Sequence, residues 1–113
     1  MRAIIYRTYG GPENLTLVDI ARPTPGPAQI LVRVLASSVN PVDWKRASGV
    51  YRLIMPVSFP CVPGFDVAGE VAEVGPGVTE FAVGARVHAR IGDPRGGASA
   101  EFGSAPITVN LVM

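Results

Sequence analysis

Apolar runs in this sequence are short, recur at close intervals and are separated by glycine and proline. Residues 2–8 (RAIIYRT) predict a strand that Gly10-Gly11-Pro12 ends. A second strand is predicted over residues 15–21, with Leu15, Leu17 and Asp19 on one face and Thr16, Val18 and Ile20 on the other. Residues 22–27 (RPTPGP) form a loop, because three prolines lack backbone donors and exclude both helix and central strand. The clearest strand is 30–39 (ILVRVLASSV), where Ile30, Val32, Val34 and Ala36 share a face. One helix is expected next. Asn40 suits its N-cap, Pro41 its first position and Asp43 its positive N-terminal end, and it should stop near Gly49. Pro56, Pro60 and Pro63 predict an irregular excursion over 50–64 with at most a 3₁₀ turn. Strands are predicted at 67–75 and 85–91, a flexible loop at 92–97, and extended chain at 98–105 and 107–112. There is no βαβ alternation, internal repeat or dividing linker, so the residues predict one mostly antiparallel barrel or sandwich.

Composition narrows this. A chain of 113 residues suits one domain, and folding should bury roughly 65% of its unfolded surface. Ten Lys+Arg against nine Asp+Glu give a net charge of +1, and the basic residues are scattered, which argues against nucleic acid as a partner. Thirteen Gly and eleven Pro, alongside 48% hydrophobic residues, favour short strands and tight turns over disorder. The single cysteine, Cys61, makes neither an internal disulfide nor a Cys-rich zinc site. No apolar run approaches the length of a membrane helix and no signal-peptide pattern is visible. A cytoplasmic protein without a membrane span is the expectation.

The residues alone offer little catalytic chemistry. His88 alternates with Val87 and Ala89, which puts it on the polar face of its strand: a solvated histidine, or else the base of a triad. Cys61 reads as a buried, inert thiol against the alternative of a nucleophile, since no base lies near it in sequence. Asp66, Glu70 and Glu73 are close together without sharing one strand face, so a paired-acid site has weak support. Gly75-Pro76-Gly77 and Gly96-Gly97 do not fit G-x-G-x-x-G between strand and helix and read as turns.

Three segments in order carry a resemblance: SSVNPVDWKRASG (37–49), FPCVPGFDVAGEVAEVGPGVTEFAVGARV (59–87) and GGASAEF (96–102). Together they resemble the N-terminal half of medium-chain dehydrogenases/reductases, in the zinc-independent quinone oxidoreductase and enone reductase branch. The resemblance covers residues 1–113 and implies a mainly β, GroES-like, partly open β-barrel with one or two short helices. Such a domain forms one wall of an active-site cleft, and a Rossmann domain forms the other. In zinc-dependent relatives a Cys and a Gly-His-Glu run hold the catalytic metal; here Asn40 and Gly64-Phe65-Asp66 stand in those places, so no zinc is expected. The implied chemistry is hydride transfer from NADPH to a quinone or an enone. By resemblance Asn40 lies by the nicotinamide carboxamide, Tyr51 and Phe65 line the acceptor pocket, and Trp44 is close by. Each has a structural alternative: Asn40 as helix cap, the three aromatics as packing. Asp66 is expected to support its loop through backbone hydrogen bonds.

Two departures accompany this. The family's Gly-Asp-x-Val turn is Gly84-Ala85-Arg86-Val87 here, without the carboxylate. The sequence also reaches Met113 before any Rossmann glycine motif. The expectation is therefore a catalytic-domain fragment, inactive alone. The competing expectation is a stand-alone binding or assembly module whose open edges drive homo-oligomer formation. A co-chaperonin role is not expected, since no long mobile loop is present. The acceptor's identity, and NADPH over NADH, are open at this level.

Overall fold

The computed structural model describes residues 1–91 and 97–107, and the backbone of 111–112. The loop expected over 92–97 and the middle of the 107–112 stretch fall largely outside the described residues. All strand pairs are antiparallel, in two open sheets. The smaller is a hairpin of β1 (Arg2–Ile5) and β2 (Thr16–Asp19), joined through a 3₁₀ turn at Pro12–Asn14. The larger contains β3 (Gln29–Ser37), β4 (Asp66–Val74), β5 (Arg86–Arg90), β6 (Phe102–Pro106) and β7 (Leu111–Val112), in the order β6-β3-β4-β5-β7. Among the described residues there is a single α-helix, α1 (Pro41–Ser48), which follows β3.

Sheet formation follows the alternation in the sequence. Along β5, Val87 and Ala89 are buried while Arg86, His88 and Arg90 face solvent. Along β4, Val67, Gly69 and Val71 turn inward. Gly69 pairs with Val34, and a Cβ added there would lie 1.9 Å from the Arg33 carbonyl oxygen. Only glycine lets β4 approach β3 this closely, next to one of two register shifts in that pairing. The core gathers Ile30, Val32, Val67, Val71, Val87 and Ile91, with Val78, Ala89, Ala98 and Ala105 filling the gaps. Burying each large aliphatic member stabilises the fold by about 1.5–3 kcal/mol before chain entropy is charged against it. At the start of β3 both faces are covered, since Ile30, Leu31 and Val32 are all inaccessible.

The first strand is shorter than the 2–8 run suggests. After Ile5 the chain leaves β2, and Tyr6 pairs instead with Cys61, exchanging backbone bonds of 2.9 and 3.0 Å. The same hairpin is tied to the larger sheet by Ile4 N–H donating to Ser99 O (2.9 Å) and Glu101 N–H donating to Arg2 O (3.1 Å). Residues 50–64 hold a turn at 51–54 and bends, with no helix or regular strand, as the prolines require. Helix α1 begins and ends where its capping residues place it. The Asp43 carboxylate accepts the Asn40 N–H at 2.6 Å, and Gly49 takes a left-handed φ of 89°. Gly10 N–H donates to Ala47 O (2.9 Å), which docks the C-terminal end of α1 on the turn after β1.

Candidate functional site

The end of β3, the start of α1 and the start of β4 converge on a small polar cluster. Asn40 is the N-cap of α1 by position, but its side-chain amide is committed across the fold. Asn40 Nδ2 donates to Asp66 Oδ2 at 2.6 Å, and Ser38 Oγ reaches the same oxygen at 3.4 Å. Asp66 thus supports this region through side chains, where the sequence suggested backbone bonds. The bond joins two segments 26 residues apart and fixes the orientation of the amide.

Phe65, next to Asp66, is 6% exposed. Two guanidinium groups approach its ring: Arg46 Cζ lies 5.3 Å and Arg90 Cζ 5.6 Å from the centroid. Phe65 O also accepts Ile91 N–H at 2.6 Å, which anchors this stretch to the end of β5. The preceding Gly64 has φ 96° and would bring a Cβ within 2.8 Å of Ala98 Cβ, so the turn into Phe65 requires glycine.

A cleft of about 510 Å³ opens between the N-terminal hairpin and α1. Ile4, Tyr6, Leu15, Val39, Trp44 and Gly64 contribute to its walls. Trp44 is 57% exposed there. Asp43 also borders the cleft, and its Oδ1 is buried with no hydrogen-bond partner among the described residues. Tyr6 is packed edge-on against Phe59 at 5.7 Å, and Phe59 in turn against Tyr9 at 5.0 Å. Burial, reinforced by a hydrogen bond with the Cys61 thiol, holds the Tyr6 phenol well above its ordinary range and keeps it neutral.

The four residues singled out in the sequence therefore do not form one cluster. Asn40 and Phe65 are brought to the same corner through Asp66, whereas Trp44 borders the cleft. Tyr51 is half-buried in the 51–54 turn, where its carbonyl accepts Ile54 N–H (2.9 Å) and Met55 N–H (2.6 Å). Among the described residues no hydrogen bond or ring contact joins Tyr51 to the other three. His88 is exposed and Cys61 fully buried. The three carboxylates near one another in sequence are engaged separately: Asp66 with Asn40, Glu70 with Arg33 at 2.7 Å, and Glu73 with Arg22 at 3.8 Å. That arrangement leaves no paired acids. Among the described residues, no three His, Cys, Asp or Glu side chains are grouped to hold a metal. Sequence reading missed the Asn40–Asp66 bond and the burial of Arg46. The first had a faint signal, a polar residue in each of two motifs. The second had none, since an arginine in the last turn of a short helix ordinarily faces water.

Residues 26–105 match the family described as the alcohol dehydrogenase GroES-like domain. The chain belongs to that family. This GroES-like domain is 45% identical over 103 residues to the chloroplast envelope quinone oxidoreductase homolog of Arabidopsis thaliana, a match covering 90% of the chain and 31% of the relative. It is 37% identical over 105 residues to the chloroplastic NADPH-dependent alkenal/one oxidoreductase of the same plant, covering 92% and 27%. Among solved structures, a mycobacterial protein in complex with NADPH superposes with a TM-score of 0.85 at 35% identity, covering 100% of this chain and 34% of that one. The chain thus spans about a third of the length of the relatives it matches. No described helix is long and apolar enough to cross a membrane.

Proposed function

We propose that this domain is the acceptor-side wall of an NADPH-dependent, zinc-independent oxidoreductase that reduces quinones or α,β-unsaturated carbonyl compounds by hydride transfer. What carries the proposal is the similarity of nearly the whole chain to one third of proteins named for these activities. The geometry supports it at the residues that differ from zinc-dependent enzymes. A catalytic zinc needs thiolate, imidazole or carboxylate ligands, and the amide of Asn40 and the phenyl ring of Phe65 supply neither thiolate nor imidazole. Zinc does not fit this donor set.

A nicotinamide does fit. A primary amide held by Asp66 presents donor and acceptor groups complementary to a carboxamide, and Asn40 would orient the cofactor there. NADPH, when bound, supplies the hydride. The chain's own residues would then hold the acceptor and exclude water: Phe65 and Tyr51 as pocket walls, Trp44 at the rim. The Tyr51 hydroxyl would steady negative charge growing on the acceptor oxygen. A Rossmann domain would provide the opposite wall, and a cytoplasmic location belongs to the same proposal. A binding module without catalysis is the other reading, and no contact in the structure favours it.

The test is to join this sequence to the nucleotide-binding portion of a quinone oxidoreductase relative and to follow NADPH oxidation with a panel of quinones and enones. Acceptor-dependent oxidation is expected, with Asn40→Ala lowering kcat/KM at least tenfold. Absence of turnover across the panel would refute the proposal. The 113-residue chain alone should show neither tight NADPH binding nor turnover.

A further inference from the structure

Residues 50–58 follow α1 and carry Tyr51, and none of them is buried. Leu53 and Ile54 are 95% and 83% exposed, so apolar packing does little to fix this segment. Its own bonds are those of local turns. Arg52 N–H donates to Gly49 O (3.1 Å), Ile54 and Met55 N–H donate to Tyr51 O, and Val50 N–H donates to Ser48 Oγ (3.4 Å). Such bonds shape the segment but do not set where it lies on the fold.

Tyr9, in the turn after β1, does set it. Its hydroxyl accepts the Val57 N–H at 3.1 Å. Among the described residues this is the one hydrogen bond from 50–58 to a residue outside the stretch 48–58. The same side chain also holds the other end. Gly49 passes so close to the Tyr9 ring that an added Cβ would lie 3.2 Å from Tyr9 Cγ. Phe59 packs edge-on against Tyr9 and against the buried Tyr6, which extends the grip past Val57. Tyr9 is itself anchored. Asn14 Nδ2 donates to Tyr9 O (3.3 Å), and the neighbouring Gly10 N–H donates to Ala47 O in α1. One half-buried phenol therefore grips both ends of a segment whose middle is exposed.

We propose that Tyr9 is a positioning residue for the acceptor: by clamping Gly49 and Val57 it holds Tyr51 in place at the pocket. Tyr9 touches no reacting atom and acts only through Tyr51. The inference rests on the proposal that Tyr51 lines the acceptor pocket and steadies charge on the acceptor oxygen. Without the Tyr9 hydroxyl, Val57 N–H turns to water and the segment samples other placements. The Tyr51 hydroxyl is then in register with the acceptor for a smaller fraction of the time, and the rate falls by that fraction. A neutral hydrogen bond of this kind shifts such an equilibrium about fivefold.

The test is a double-variant cycle in this sequence joined to the nucleotide-binding portion of a quinone oxidoreductase relative, with an enone as acceptor. Tyr9→Phe keeps the ring and removes the hydroxyl. It should lower kcat/KM for the enone about fivefold and leave the KM for NADPH unchanged. In a Tyr51→Phe background the same substitution should change kcat/KM less than twofold, because the group it positions is gone. Equal losses in the two backgrounds, or no loss in either, would overturn the inference. The clamp is also read in the 113-residue chain by NMR solvent exchange. There Tyr9→Phe should speed exchange of the Val57 amide at least threefold and leave the Ile54 amide, bonded inside its turn, unchanged. An unchanged Val57 rate would overturn the inference as well. Its failure is separable from failure of the broader proposal. If the joined protein reduces enones while Tyr9→Phe costs the same with and without the Tyr51 hydroxyl, only the positioning role falls. If no acceptor is reduced, hydride transfer falls and the positioning role falls with it, whatever the exchange rate of Val57.

Discussion

The Asn40–Asp66 bond should be measurable as a coupling between two segments of the fold. The amide donates to a carboxylate at 2.6 Å in a half-buried setting. Hydrogen bonds to charged groups contribute about 1.5–3 kcal/mol, and partial exposure places this one near ~1.5 kcal/mol. Asp66→Ala removes the acceptor and should cost that amount. With an unfolding entropy of ~2.1 cal/mol/K per residue, a domain of this length should lose about 6 °C in Tm. Asn40→Ala should cost somewhat more, because an alanine at an N-cap is itself unfavourable by about 1 kcal/mol. The double variant should cost ~1.5 kcal/mol less than the sum of the single ones. Calorimetry on the four proteins completes the cycle. Costs that add within ~0.3 kcal/mol would show that the two side chains are energetically independent, and the reasoning would fail.

Three other substitutions probe different parts of the fold. Gly69→Ala puts a methyl group 1.9 Å from the Arg33 carbonyl oxygen, so it should destabilise by ~2–3 kcal/mol or prevent folding; a variant with unchanged urea midpoint would contradict the close strand approach. Ile30→Ala empties a fully buried core position and should cost about 2–5 kcal/mol in chemical denaturation. Glu101 accepts the Arg2 N–H at 2.5 Å, and that bond above all holds its carboxyl below the usual carboxylate range. Its folded-state pKa is the lower one, so its contribution is present above an ordinary carboxylate value of about 4.3 and is lost as pH falls through the folded value. Glu101→Gln should therefore flatten stability against pH on the acid side, read as Tm between about pH 6 and 3; an unchanged acid profile would refute this.

Much of the fold was legible because its signals are local. Alternation fixed which side chains of β4 and β5 turn inward, proline excluded regular structure from 50–64, and the Asn40–Gly49 interval bounded α1. The losses came where long-range pairing overrides local pattern. Tyr6 reads as a continuation of β1 but is taken by Cys61, 55 positions away, and no periodicity encodes that partner. The site was legible only in part. Motif position brought Asn40 and Phe65 forward, and the fold brings both to Asp66. The role of Asp66 depends on the angle at which β4 meets α1, which the sequence does not reveal. The burial of Arg46 has no sequence signal, because eight residues of helix give little indication of which face is covered.

The most direct test of hydride transfer uses NADPH carrying deuterium at C4 of the nicotinamide. It would be supplied to the chain joined to the nucleotide-binding portion of a quinone oxidoreductase relative, with an enone as acceptor. The account predicts deuterium on the β-carbon of the saturated ketone, with the α-carbon labelled only from solvent. A β-carbon carrying solvent hydrogen, or NADPH oxidation with no reduced ketone, would contradict it.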